Sequence, residues 1–144
     1  MTAAEPRPDT LRADPLLGPI LETLRDRKAL DLVVIDLRGI SDTADYFVLC
    51  SGTSEPHIRS LTDDLVDQLR GQGHRPWHVE GRQSLRWVLV DFVDVVVHIF
   101  GREAREFYGL ERLWGDAPAT RLPDGWEEEQ PAAGDAVVTE EGRG

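Results

Sequence analysis

The sequence predicts a single α+β domain, built on a mixed sheet of about five strands flanked by helices. Three observations predict it. Short, apolar, largely β-branched runs recur at Leu32–Ile35, Tyr46–Cys50, Trp87–Phe92 and Val95–Phe100, as buried strands do. Ile58, Leu61, Leu65, Val66 and Leu69 recur at three and four residues, the single apolar stripe of an amphipathic helix. Both short hairpin links and longer helical crossovers join the runs, so the sheet is expected to mix parallel and antiparallel pairs.

Each element follows in chain order. Met1 to Asp14 carries Pro6, Pro8 and scattered charges without periodicity, and is expected to be a flexible segment over residues 1–14. Leu16, Leu17, Ile20 and Leu24 follow helical spacing, with Pro15 or Pro19 tolerated in the first turn. Leu32–Ile35 and Tyr46–Cys50 form a hairpin across Arg38–Asp45. Ser54 is placed to cap the central helix, with Glu55 and Pro56 in its first turn and Gly71 and Gly73 ending it. Pro76–Val79 makes a short strand. The two long strands that follow pair around Val93-Asp94. Arg102 to Leu113 is predicted as the last helix, with Phe107, Leu110, Leu113 and Trp114 able to face the sheet. The domain is thus expected over residues 15–117. Residues 118–144, rich in Pro, Gly and Glu, are expected to be an acidic tail without fixed structure.

Composition bounds the function. Hydrophobic residues are 40% of the 144, enough for a core. No apolar run approaches the roughly 20 residues that span a bilayer. The N-terminus lacks a signal-peptide pattern, and Cys50 is the only cysteine, so a cytoplasmic protein without membrane attachment is expected. The net charge is −11. Leu16 to Arg121 holds 17 acids against 13 bases, or −4, and the two ends hold the other −7. No Lys/Arg cluster appears along the chain, so no direct nucleic-acid binding is expected. A basic protein surface is the better partner.

Candidate catalytic and metal-binding patterns fail on their chemistry. The Ser51-Gly52-Thr53-Ser54 turn joins a strand to a helix but lacks a P-loop's lysine and length. A nucleotidyltransferase would also need paired acids on a neighbouring strand to hold Mg²⁺. Asp63, Asp64 and Asp67 instead fall on the wet face of the helix, and Asp91 and Asp94 straddle a hairpin turn. His74 and His78 flank Pro76, against helical ligand geometry. His98 points opposite to Val97 and Ile99 and suits a polar sheet face or a hydrogen-bonded half-buried position. Cys50 reads as a buried structural thiol. No catalytic residue, metal site or cofactor is expected.

Trp87 opens a strand directly after the polar loop Glu80–Ser84, and Asp91 shares its strand face. Burial in the core and a contact hot spot for a basic partner are both open readings at this position. The contact reading has a corollary: Trp87→Ala should abolish binding and leave the thermal midpoint within a few degrees.

Three blocks in order resemble one family. Asp45-Tyr46-Phe47-Val48 followed by Ser51-Gly52-Thr53-Ser54 resembles the first signature of the Iojap/RsfS ribosomal silencing factors. Val79-Glu80-Gly81, then Trp87–Phe92 and Asp94–Phe100, is similar to the second. Arg105 to Trp114 is similar to the closing helix motif. Phe92-Val93 departs from a common Tyr-Gly pair at the hairpin, and Gly101 enters where the last helix begins. The resemblance implies a fold related to nucleotidyltransferases but without their catalytic acids. It implies a non-enzymatic factor that binds the large ribosomal subunit through large-subunit ribosomal protein fourteen and sterically blocks the small subunit. Repression of translation when nutrients are short follows from that, and a role in large-subunit assembly is a second implication. The partner-binding residues carried over are Trp87, Glu80, Asp91, Asp94, His98 and Tyr108. Self-association to a homodimer through the same apolar docking face is the expected competitor of binding.

Overall fold

The computed structural model describes residues 8–109, 112 and 115–123, without the side chains of Phe107 and Tyr108. Helix α1 (Pro8–Arg12) leads into α2 (Leu17–Asp26), whose first amides are capped by the Asp14 carboxylate at 2.9 Å from both Leu16 N and Leu17 N. Strands β1 (Leu30–Asp36) and β2 (Tyr46–Gly52) pair antiparallel, as their short link requires. Helix α3 (Glu55–Gly71) starts where expected, with the Ser54 hydroxyl accepting from His57 N at 3.2 Å. Strands β3 (His78–Glu80), β4 (Trp87–Asp91) and β5 (Val95–Gly101) form an antiparallel meander. Helix α4 (Arg102–Tyr108) follows, and β6 (Ala119–Leu122) closes the described chain.

The strand order is β3-β4-β5-β2-β1-β6. β2 and β5 run parallel at the centre, joined by the crossover through α3, and the other pairs are antiparallel. The mixed sheet is as expected, with a sixth strand in place of about five. That strand, β6, pairs with β1 from Leu32↔Leu122 to Ile35↔Ala119. Residues 119–122 were expected to belong to the tail, so the ordered domain extends past 117. The rest of that tail, from 124, lies outside the described residues.

A second boundary also moves. The segment expected to be flexible over 1–14 is helical from Pro8, and Leu11 is 1% exposed within the cluster formed with α2 and α3. Its backbone packs tightly: a Cβ at Gly18 would lie 2.2 Å from the Arg12 carbonyl oxygen, so only glycine fits there. Helix α4 stops before the predicted Leu113, and Arg112 is helical again beyond Gly109. Gly109 takes the left-handed conformation (φ 60°) and donates to Arg105 O at 3.0 Å, which terminates α4. Leu110, Leu113 and Trp114, expected to face the sheet, lie outside the described residues, as does the side chain of Phe107.

The two sheet faces differ. One is covered by α1, α2 and α3 around Val48, Cys50, Val88, Val97 and Ile99. The other, around Val33, Ile35, Leu49 and Phe100, carries α4 through Ala104, and Phe47 and Trp87 pack on it only partly buried. Among the described residues, α4 packs on that second face against β5 and β2, and no described helix packs on it over β3 and β4.

Candidate functional site

The register fixes which side chains share the open face. His78, Asp91, Val96, Phe47 and Ile35 form one row across β3, β4, β5, β2 and β1; Glu80, Leu89, His98, Leu49 and Val33 form the next. Trp87 lies opposite Phe100 at one end. Glu80 on the edge strand is exposed, Trp87, Leu89 and Asp91 on β4 and Phe47 on β2 are half-buried, and His98 between them on β5 is 3% exposed.

Trp87 combines the two readings left open by the sequence. Its ring stacks on Phe100 at 5.3 Å between centroids and 26° between planes. Its indole N–H donates to His98 Nδ1 at 3.0 Å. The residue as a whole is half-buried. Trp87→Ala would therefore remove the donor to a buried imidazole as well as contact area, and a lowered thermal midpoint is the outcome this geometry predicts.

Each carried-over residue has a definite place. Asp91 shares the face with Trp87, as strand parity requires, and its Oδ1 accepts from Val93 N at 2.7 Å, bracing the β4–β5 turn. That brace matters because Val93 stands at φ 76°, a conformation a β-branched residue adopts only under constraint. Glu80 accepts from His78 Nε2 at 2.9 Å on the edge strand. Gly81 beside it has φ 91°, and a Cβ there would meet the Trp87 carbonyl oxygen at 2.2 Å, so glycine holds this loop against β4. Asp94 sits in the β4–β5 turn away from the two rows. Its carbonyl accepts from Asp45 N at 2.8 Å and Tyr46 N at 3.2 Å, a scaffold role. His98 lies beneath Trp87 and supports it. Burial lowers its pKa to about 4, so the ring is neutral at pH 7, with Nε2 buried and unpartnered. Tyr108 ends α4, and its side chain lies outside the described residues.

Three participants escaped the sequence reading. Leu89 and Phe47 fall on the open face, but β4 and β2 carry apolar residues on both faces in sequence, and parity alone did not say which was covered. Trp77, 72% exposed just before β3, packs edge-on against His78 at 4.5 Å and donates its backbone N–H to Asp91 O at 2.6 Å. An aromatic residue ahead of a short edge strand was its only signal.

The acids set aside as a metal site are engaged elsewhere. Asp63 bonds Arg82, Asp64 pairs with Arg27 at 2.7 Å, and Asp67 lies 3.6 Å from Arg70. Among the described residues no three His, Cys, Asp or Glu side chains converge as metal ligands would. The Ser51–Ser54 turn is tied down by His57, whose Nδ1 accepts from Thr53 N at 2.9 Å while Nε2 donates to Arg27 O at 2.9 Å. Cys50 is buried, and desolvation pushes its thiol up to about 12, far from a nucleophile. Among the described residues no helix is long and apolar enough to cross a membrane.

These features define a mixed α+β domain that presents one aromatic, acid-rimmed sheet face. Residues 10–143 match the family described as "Ribosomal silencing factor during starvation". The chain is 43% identical over 100 residues to ribosomal silencing factor RsfS of Bacillus subtilis (strain 168), which covers 69% of this chain and 85% of that protein. It is 36% identical over 98 residues, 66% of this chain and 43% of the other, to "Mitochondrial assembly of ribosomal large subunit protein 1" of Mus musculus. A crystal structure of a Bacillus halodurans protein superposes with TM-score 0.66 at 36% identity, covering 74% of this chain and 97% of that one. The chain belongs to the RsfS family of ribosomal silencing factors.

Proposed function

We propose that this protein represses translation by docking the open sheet face around Trp87 on the large ribosomal subunit, where its bulk keeps the small subunit from joining. The observation that carries this reading is the half-buried row Trp87–Leu89–Asp91 on the sheet face turned away from α1, α2 and α3, with the exposed Glu80 at its rim. A rigid aromatic anchored from below by Phe100 and His98, beside aliphatic and acidic neighbours, suits a basic protein partner. Large-subunit ribosomal protein fourteen, implied by the family resemblance, is that partner. The factor acts by occupying a surface, in the cytoplasm, and performs no chemistry. The name of the Mus musculus relative supports a second role in large-subunit assembly. Self-association through the same face competes with docking.

The test is cosedimentation with isolated large subunits. Glu80→Lys and Leu89→Ala are each expected to weaken binding about tenfold or more, with subunit joining restored in proportion. Glu80 is exposed and Leu89 half-buried, so the midpoint of Glu80→Lys should stay within a few degrees of wild type. Wild-type binding by both variants would remove this face from the mechanism. Trp87→Phe is the preferred anchor variant, because it keeps the stacking on Phe100.

A further inference from the structure

Three large apolar side chains stand in solvent among the described residues: Ile40 at 49% exposure, Val93 at 55% and Trp77 at 72%. Far apart in sequence, they share one end of the sheet. It is the end where β1 loops into β2, β4 turns into β5 and β3 begins, because Asp36 pairs with Tyr46, Tyr46 with Val95, Asp91 with Val96 and His78 with Asp91. Ile40 lies in the β1–β2 loop, Val93 in the β4–β5 turn, and Trp77 directly precedes β3. At a strand spacing of roughly 4.8 Å, the strand order sets them along a line of about 17 Å. The opposite end, at Gly52 and Gly101, has no exposed large apolar side chain among the described residues. A single exposed apolar residue is ordinary. Val93 differs, because a β-branched residue at φ 76° bears strain that asparagine or glycine would relieve, and in solvent it gains no burial in return.

We propose that this end of the sheet is a second contact surface, which takes a basic protein segment carrying apolar side chains. The proposal rests on the docking described above and adds a surface beyond the Trp87 face. Charge selects the occupant. The same loops hold Asp42, Asp45 and Asp94, all exposed, and none of these carboxylates forms a hydrogen bond or salt bridge with a described residue. Arg38, beside them, is committed to Asp36 through hydrogen bonds of 3.0 and 2.8 Å. Arg75, two residues before Trp77, is exposed and carries the opposite charge, which leaves the acids in the majority on these loops. Cationic side chains reaching the carboxylates would let their apolar neighbours cover Trp77, Val93 and Ile40. Trp77, braced edge-on by the His78 ring at 4.5 Å, offers the widest apolar plane for that contact. An extended segment of about five residues spans the line. RNA is a poorer occupant, since its phosphates would meet like charge. The strain at Val93 is then a stability cost that contact with the partner offsets.

Cosedimentation of the full-length protein with isolated large ribosomal subunits tests this, with the thermal midpoint of each variant as a second readout. Val93→Asn combined with Trp77→Ser is expected to weaken binding about fivefold or more. Its midpoint should hold or rise by a few degrees, since asparagine tolerates the positive φ and Trp77 is mostly exposed. Asp42→Lys combined with Asp45→Lys should also weaken binding, by reversing the charge offered to a basic segment, and both side chains are exposed. Wild-type binding by either double variant would overturn the proposal. Tighter binding of the lysine variant would overturn it in favour of RNA phosphate at this end. Glu80→Lys separates this surface from the Trp87 face. Loss of binding by Glu80→Lys alone would keep the docking face and remove this end, and loss by the two double variants alone would do the reverse. A wild-type protein that does not bind large subunits would overturn both.

Discussion

A buried imidazole under a surface tryptophan makes one residue pair both scaffold and sensor of acid. His98 accepts the Trp87 N–H through Nδ1, which requires the neutral ring. Protonation would put a charge in a buried site and remove that acceptor. The folded pKa, about 4, lies below the unfolded value near 6.5, so the unfolded chain binds the proton first on acidification. The resulting stability is fully present above pH 6.5 and is lost as pH falls through 4. Its size is about 3 kcal/mol. Asp36 acts in the same sense at lower pH, because the hydrogen bonds from Arg38 hold its carboxyl below the ordinary carboxylate value. Urea unfolding followed from pH 7 to pH 4 should show this decline, and an NMR titration should find His98 unprotonated near pH 5. A His98 midpoint near 6.5 would mean the ring is solvated and Trp87 loosely held.

Two short elements at the chain's described ends complete the domain, and both were poorly legible in sequence. In β6, Leu122 is 1% exposed and joins the cluster under α1, α2 and α3, while Thr120 is also buried. Leu122→Ala and Leu11→Ala should each cost roughly 2–4 kcal/mol by the methylenes lost and the cavity left. Chemical denaturation would show it as a lower midpoint at unchanged slope. A loss under about 0.5 kcal/mol at either site would mean that the element is not packed there. The contrast with α3 explains the legibility. Its stripe of Ile58, Leu61, Leu65, Val66 and Leu69 is one-sided and capped at Ser54, so local chemistry alone specifies it. α1 is only five residues and β6 four, too short for periodicity to speak. Their structure comes from distant partners: α1 from the close approach at Gly18, β6 from the β1 edge. The candidate site divides the same way. Trp87 and Asp91 were legible from strand parity, whereas Leu89 and Phe47 needed knowledge of which sheet face α1, α2 and α3 cover.

At the scale of the whole molecule, charge decides how the protein can reach its partner. A chain of −11 gains nothing from the long-range field of a particle coated in RNA phosphate; the two repel. Under the proposed docking, specific attraction arises at contact, between Trp87, Leu89 and the rim acids Glu80 and Asp91 and a basic protein patch. Salt then has two opposed effects. It screens the long-range repulsion, which helps approach, and it weakens the short-range pairing at the rim, which loosens the complex. The expected outcome is a shallow dependence. Between about 50 and 300 mM KCl the slope of log affinity for large subunits against log salt should stay between zero and about −2. Release of counterions from RNA would look different, since each neutralised phosphate adds about −0.9 to the slope. A slope near −4 would mean about four neutralised phosphates, a result that would move the ribosome contact from the tryptophan face to RNA.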